Sequence, residues 1–236
     1  MMITDAYAHC GLRKYRPVAE LDGYMDRHGV SRTVLAEHLG EYDNSYIESV
    51  VKARPKRFAA AFLVDLANPK AADEIRRWKE TGAFRGIRFP SESLLTHPAL
   101  WQWAAQLKLH LVVSAPFPKP VTDALSTFAS HNPRTQIQLT HLGTPALAER
   151  RNVHVQISGM HKVGKLPYAE LIPQIQELYR RYGPERLLYA SNFPVMETEE
   201  IYTAEMDLLL SGRLGIPERD MPLVMNANAE RLWFAR

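Results

Sequence analysis

Residues Phe58–Pro90 read FAAAFLVDLANPKAADEIRRWKETGAFRGIRFP. Phe58–Val64 is an apolar run of strand length. Lys70–Glu80 places its apolar residues at helical spacing and is closed by Gly82, and Phe84–Phe89 is apolar again until Pro90 stops it. Two such strands joined by one helix run parallel, because a parallel pair needs a crossover. The same unit recurs in both directions. The patterning predicts strands over Ile3–His9, Thr33–His38, Leu109–Ser114, Gln136–His141, Val153–Ser158 and Leu187–Ser191. Helices are predicted over Val18–His28, Ser45–Ala53, Pro98–Leu107, Val121–Ser130, Tyr168–Tyr182, Glu199–Leu210 and Pro222–Phe234. Strand ends about 26 residues apart fit one strand-plus-helix unit per step. Eight such units close into a (β/α)8 TIM barrel. No G-x-G-x-x-G follows the first strand, which argues against a doubly wound open sheet. The chain therefore reads as a single α/β domain over residues 1–236.

One unit is short. Between His141 and Asn152 there is no room for a full crossover helix, so the helix after the sixth strand is reduced or missing. Gln136, Gln138 and Thr140 share one face of that strand, opposite Ile137, Leu139 and His141. A polar face turned outward would agree with the missing helix. The expectation is that a chain terminus or a partner subunit, as in a homo-oligomer, covers the gap.

The composition excludes several function classes. With 46% hydrophobic and 23% charged residues, the chain is ordinary for a globular protein. Lysine plus arginine numbers 29 against 26 acidic residues, a net +3, which is no nucleic-acid footprint. The single cysteine, Cys10, excludes an internal disulfide and a multi-thiolate zinc site. No apolar run approaches the roughly 20 residues of a membrane helix. The opening Met1-Met2-Ile3-Thr4-Asp5 lacks the basic-then-apolar pattern of a secretory signal. A cytoplasmic protein with a small-molecule substrate, and neither nucleic acid nor membrane as partner, is expected.

In a TIM barrel the reactive groups lie at the C-terminal strand ends. Here these ends carry Tyr7 and His9, Glu37 and His38, Asp65, Arg88, Ser114, His141, Ser158 with His161 just beyond, and Asn192. Packing alone would favour apolar residues at such positions. Tyr7 and His9, two apart, project to one face. Arg88 holds its charge at all relevant pH and offers a planar fork suited to a carboxylate, unless it is tied up in an ion pair with Asp65 or Glu37. Asn192 can donate and accept hydrogen bonds but cannot act as a base. His28, His97, His110 and His131 fall in helical or connecting segments and read as structural. Lys52, Arg54, Lys56 and Arg57 read as a solvated run, and Trp101 and Trp103 as packing.

At these residues the chain resembles the amidohydrolase superfamily, in its amidohydrolase-related branch of TIM-barrel hydrolases. Asp5-Ala6-Tyr7-Ala8-His9 resembles the first-strand D-x-H-x-H, and Arg85–Arg88 the fourth-strand G-I-R. Thr140–Pro145 resembles D-H-L-G-x-P, and Asn152–Gly159 the seventh strand. Arg186–Pro194 resembles R-x-x-x-x-S-D-x-P, and Asn226–Leu232 the closing N-A-x-R-L helix. The resemblance implies a metal-dependent hydrolase, lactonase or decarboxylase. It breaks where the metal would sit. Tyr7 replaces the first histidine, Ser114 stands near the fifth-strand histidine, and Asn192 aligns with the eighth-strand aspartate that moves the proton of the attacking water. His9 and His141 remain as catalytic candidates. They are also the only candidate metal ligands, for a weakly bound divalent ion such as zinc or for none. The implied activity is hydrolysis of a small carboxylated ester or lactone. In it His9 and His141 act on the carbonyl or water, and Tyr7 and Asn192 donate to the oxyanion. Arg88 holds the substrate carboxylate, with Ser114 and His161 beside it. The base is open among His9, His141, His161, Glu37 and Asp65. A decarboxylase or lyase of the same branch, or a ligand-binding barrel that has lost catalysis, are the alternatives.

Overall fold

In the computed structural model, which describes residues 1–235, eight parallel strands pair in chain order. They are β1 (Ile3–Ala8), β2 (Val30–Ala36), β3 (Phe58–Phe62), β4 (Gly86–Pro90), β5 (His110–Ser114), β6 (Ile137–Leu139), β7 (Val153–Ile157) and β8 (Leu187–Tyr189). Arg236, the last residue of the single-domain reading, lies outside the described residues. Between and after the strands run α1 (Val18–Arg27), α2 (Ser45–Ala53), α3 (Ala71–Glu80), the short α4 (Ser93–Thr96), α5 (Pro98–Gln106), α6 (Lys119–His131), α7 (Ile172–Tyr182) and α8 (Glu199–Leu210). The fold is the (β/α)8 barrel that the patterning predicts. Among the described residues no helix is long and apolar enough to cross a membrane.

The sheet closes just beyond β8. Asn192 N–H donates to the Tyr7 carbonyl at 3.0 Å, and His9 N–H to the Phe193 carbonyl at 2.7 Å. Asp5 bolts this seam from below. Its Oδ1 accepts from the Tyr7 and Ser191 amides at 3.0 Å each, and its Oδ2 accepts from the Ser191 hydroxyl. Asp5 is fully buried, and burial raises its pKa to about 6 against the opposing pull of these donors. The folded state therefore binds the Asp5 proton more tightly than the unfolded chain. Stability falls as pH rises from about 4 to about 6, by on the order of 3 kcal/mol from this group, and then levels. Asp5→Asn keeps the shape without the ionisation. Its melting temperature, followed by calorimetry over that range, is expected to decline less than the wild type's; parallel curves would refute the assignment.

Alternation along the strands separates two apolar layers. Phe58, Ala60 and Phe62 of β3 face the helices, as do Ile87 and Phe89 of β4 and Leu111 and Val113 of β5. The interior layer holds mostly small or slender residues, among them Ala6, Val34, Ala36, Ala59, Ala61, Val112 and Ala190, with Leu188 and Leu232, around the rings of Tyr7 and Trp233. An eight-stranded barrel has room for little more. Trp233 comes from the closing helical segment, wound as π-helix over Leu223–Ala227 and Glu230–Phe234. It enters the barrel floor against Gly86, where a Cβ would lie 2.8 Å from both the indole and the His110 carbonyl. Thr4 bonds to the same segment at Asn226 and Glu230, and Asn228 Nδ2 donates to the Pro184 and Leu187 carbonyls.

The sixth unit departs from expectation in one respect. A single 3₁₀ turn, Pro145–Leu147, stands where a crossover helix would be. However, the polar face of β6 points inward. Gln138 is 2% exposed, its Nε2 donates to the Ala6 carbonyl at 2.9 Å, and its Oε1 accepts from Trp233 Nε1 at 2.8 Å. Ile137 and Leu139 are the outward residues and join the outer apolar layer. The turn itself fills the gap from within the chain. Leu147 and Ala148 are buried where the turn packs between α6 and α7. The Tyr182 hydroxyl bonds to the Thr144 carbonyl at 2.6 Å, and Arg186 Nη1 to the Ala148 carbonyl at 2.8 Å.

Candidate active site

Tyr7, His9, Arg88, Ser114 and His141 lie together at the C-terminal mouth, with the Asn192 backbone held beside them. A backbone irregularity between Asp5 and Ala8 of β1 turns Tyr7 inward beside His9. Tyr7 is the hub. Its ring lies 4.6 Å from the His9 ring and 5.9 Å from the His141 ring, both edge-on, and the Arg88 guanidinium sits 5.5 Å over it. Its carbonyl holds Asn192. The Tyr7 hydroxyl is buried and has no partner at hydrogen-bond geometry, and burial raises its pKa while Arg88 and the nearby Ser114 hydroxyl oppose the shift.

Each imidazole is fixed differently. His9 Nδ1 lies 2.6 Å from the Ala36 carbonyl, so it carries the hydrogen and Nε2 the lone pair. Tyr15 stacks on its other face at 5.1 Å. Burial, then the charge of Arg88, holds the His9 pKa well below the usual range. His141 takes up a left-handed backbone (φ +53°), as Asn192 does (φ +58°). Such strain at two strand ends is characteristic of functional positions. His141 Nδ1 is 3.3 Å from Ser158 Oγ, and its pKa falls to about 3 through burial and the charges of Lys162 and Arg88. Both rings are neutral at pH 7.

Arg88 is buried, and among the described residues no carboxylate pairs with it. Its Nε donates to Ser114 Oγ at 2.8 Å and its Nη1 to the Glu37 backbone carbonyl at 2.8 Å. The ion pair with Asp65 or Glu37 allowed by the sequence is therefore not formed. Asp65 spends Oδ1 on the Ala67 amide. Ser114 aims the guanidinium. Lys162 adds a second cation, its ammonium pushed below its ordinary pKa by partial desolvation and by Arg88. Asn192 is 0% exposed, and neither atom of its amide has a protein partner. Leaving such groups unpaired costs about 1–3 kcal/mol each.

Beside the mouth, a cavity of about 280 Å³ is lined by Cys10, Tyr15, Glu37, His38 and Tyr46. Burial raises the Glu37 carboxyl to about 7 there. Four contributors escape the sequence reading. Tyr15 lies in a loop and Lys162 at the end of a 3₁₀ turn, neither within a motif, and Lys14, 3.5 Å from His38, is one of many exposed cations. The fourth, Glu205, lies on α8, and its buried carboxylate bonds to His161. A signal for it did exist, since it falls on the stripe of Tyr202, Met206 and Leu209 where every other residue is apolar.

The donor set does not fit the metal that the resemblance implies. A catalytic zinc takes three protein ligands, usually including an anion. His9 and His141 are two neutral imidazoles, and Asn192 occupies the carboxylate position. Among the described residues no group of three His, Cys, Asp or Glu side chains is placed to hold an ion. Arg88 and Lys162 add like charge that would repel a dication.

The amidohydrolase family profile matches residues 3–235. Solved structures of the same fold include a protein assigned as 2-pyrone-4,6-dicarboxylic acid hydrolase from Acinetobacter baumannii with citric acid bound. It has TM-score 0.74 and 16% identity, over 98% of this chain and 99% of that one. An amidohydrolase from Burkholderia multivorans with bound zinc has TM-score 0.78 and 14% identity, over 98% and 99%. The 5-carboxyvanillate decarboxylase from Sphingomonas paucimobilis has TM-score 0.71 and 15% identity, over 100% and 99%. Identities this low speak for the fold alone. No curated protein matches the chain. With the family profile spanning nearly its whole length, this chain belongs to the amidohydrolase family.

Proposed function

We propose that the protein hydrolyses a small carboxylated ester or lactone without a resident metal. The observation that carries this reading is the buried, unpaired Arg88 guanidinium beside two orphaned groups, the Tyr7 hydroxyl and the Asn192 amide. Arg88 binds the substrate carboxylate, with Lys162 adding positive charge at the mouth. Tyr7 and Asn192 donate to the oxygen on which negative charge develops, the role of an oxyanion hole. His9 and His141, both neutral, line the reacting centre, His9 presenting the Nε2 lone pair. Two structural relatives support an anionic substrate, one assigned as a dicarboxylic acid hydrolase with citric acid bound and one a decarboxylase of a carboxylated aromatic.

Purified protein incubated with 2-pyrone-4,6-dicarboxylate is expected to open the ring without releasing CO₂. Carbon dioxide from 5-carboxyvanillate would favour the decarboxylase instead. A shift in melting temperature with neither reaction would favour a binding barrel. Turnover is expected to survive a strong chelator within about twofold, since the donor set is too poor to hold a zinc ion. Loss on chelation with recovery on added zinc would refute the metal-free mechanism.

A further inference from the structure

Hydrolysis needs a proton acceptor, and the obvious ones are handicapped. His9 and His141 lose basicity to burial and to the cations around them. An amide at 192 is no base. Glu37 opens onto the side cavity, whose lining includes neither Tyr7 nor His141.

His161 is built differently. It sits in the 3₁₀ turn Met160–Lys162, which Gly159 starts in a left-handed conformation. Its Nδ1 lies 2.9 Å from Glu205 Oε1, and its own backbone N–H donates to that same oxygen at 3.0 Å. The Tyr168 hydroxyl is a third donor there, at 2.9 Å. Ring and peptide are thus fastened to one atom, and the imidazole cannot swing. Glu205 is 3% exposed, and His161 is its only ion-pair partner among the described residues. A buried carboxylate without a lysine or arginine is stabilised when a cation forms beside it. An ionised carboxylate only accepts, so Nδ1 carries the hydrogen and Nε2 the lone pair. Nε2 is buried and has no protein partner. Gly159, which starts this turn, packs against the His141 imidazole, where a Cβ would lie 2.6 Å from Nδ1, so the turn that carries His161 and Lys162 begins beside that ring.

We propose that His161 is the proton-transfer residue of this site and Glu205 its positioning residue, together replacing the base lost at Asn192. The proposal rests on the hydrolytic reading above. His161 Nε2 takes a proton from water as the water oxygen bonds to the substrate carbonyl carbon. The carbonyl π pair moves onto oxygen, held by Tyr7 and Asn192. When that pair returns, the carbon–oxygen bond to the leaving alkoxide breaks, and the alkoxide takes the proton back from Nε2. One water is consumed, and a carboxylic acid and an alcohol result. The division of labour is that of a carboxylate-backed histidine in acyl transfer.

The test has two arms on the full chain. In the first, histidine ¹⁵N spectra of the wild type, with His161 assigned by the signal missing in His161→Gln, are expected to show the Nδ1–H tautomer. The Nε2–H tautomer would overturn the proposal whether or not any ester is cleaved. In the second, with 2-pyrone-4,6-dicarboxylate as probe, Glu205→Gln is expected to lower kcat at least tenfold with KM within about threefold. His161→Gln is expected to lower kcat by 100-fold or more. Full kcat in His161→Gln would overturn the proposal. The expected tautomer in a protein that cleaves no ester would leave the dyad standing and remove the hydrolytic reading instead.

Discussion

Arg88→Met is expected to cost about 100-fold or more in kcat/KM for a dicarboxylate substrate, chiefly through KM, and to leave the protein as stable as before or more so. Each charge-assisted hydrogen bond to a carboxylate contributes about 1.5–3 kcal/mol. Loss of two such bonds, about 3 kcal/mol at the lower bound, corresponds to roughly two orders of magnitude. Stability moves the other way because the cation is buried without an anion, held only by Ser114 Oγ and a backbone carbonyl. Replacing a buried ion by an apolar side chain of similar length is often neutral or stabilising. Steady-state kinetics and thermal melting check the pair of effects together. A KM within threefold of wild type would deny Arg88 the substrate carboxylate. A large fall in melting temperature would make it a structural tie.

Trp233→Ala carries the largest expected loss of stability, about 3–5 kcal/mol as for other buried tryptophans. The indole is 1% exposed, lies against Gly86, meets the His110 ring edge-on at 5.2 Å and donates Nε1–H to Gln138 Oε1. Truncation empties the floor of the barrel and removes a partner from a buried amide. For a chain of this size each kcal/mol is worth about 2–4 °C, so a fall of roughly 10 °C is expected by calorimetry. A shift under 2 °C would mean that the closing segment is not what seals the floor. Trp233→Phe, which keeps the ring but not the N–H, is expected to fall between the two.

The barrel was legible because glycine and proline punctuate nearly every strand and helix, and because eight units recur at even spacing. The strand-end residues followed from that frame. Tyr7, His9, Arg88, Ser114, His141 and Asn192 needed only their positions at the tops of strands to be brought to one mouth. One expectation fails and one residue escapes notice, each for a physical reason. Gln138 was placed outward because polar residues usually face solvent, yet the barrel interior offers it the Ala6 carbonyl and the Trp233 indole, which satisfy its amide. Glu205 was passed over because it is held by a contact 44 residues away, and helical periodicity says nothing about what a side chain meets in another unit. The same limit hid Tyr15 and Lys162. Their role comes from which loops fold over the mouth, and local sequence does not encode that.

The bonds from Thr4 to Asn226 and Glu230 join residues 222 and 226 positions apart. Ribosomes extend a chain at about 5–20 residues per second, so β1 waits on the order of 10–45 s before its last neighbours exist. Through that interval its free edge and the alanine-lined lumen are open to water and to other nascent chains. A circular permutant that brings the segment around Trp233 next to β1 should shorten that wait and raise the soluble yield.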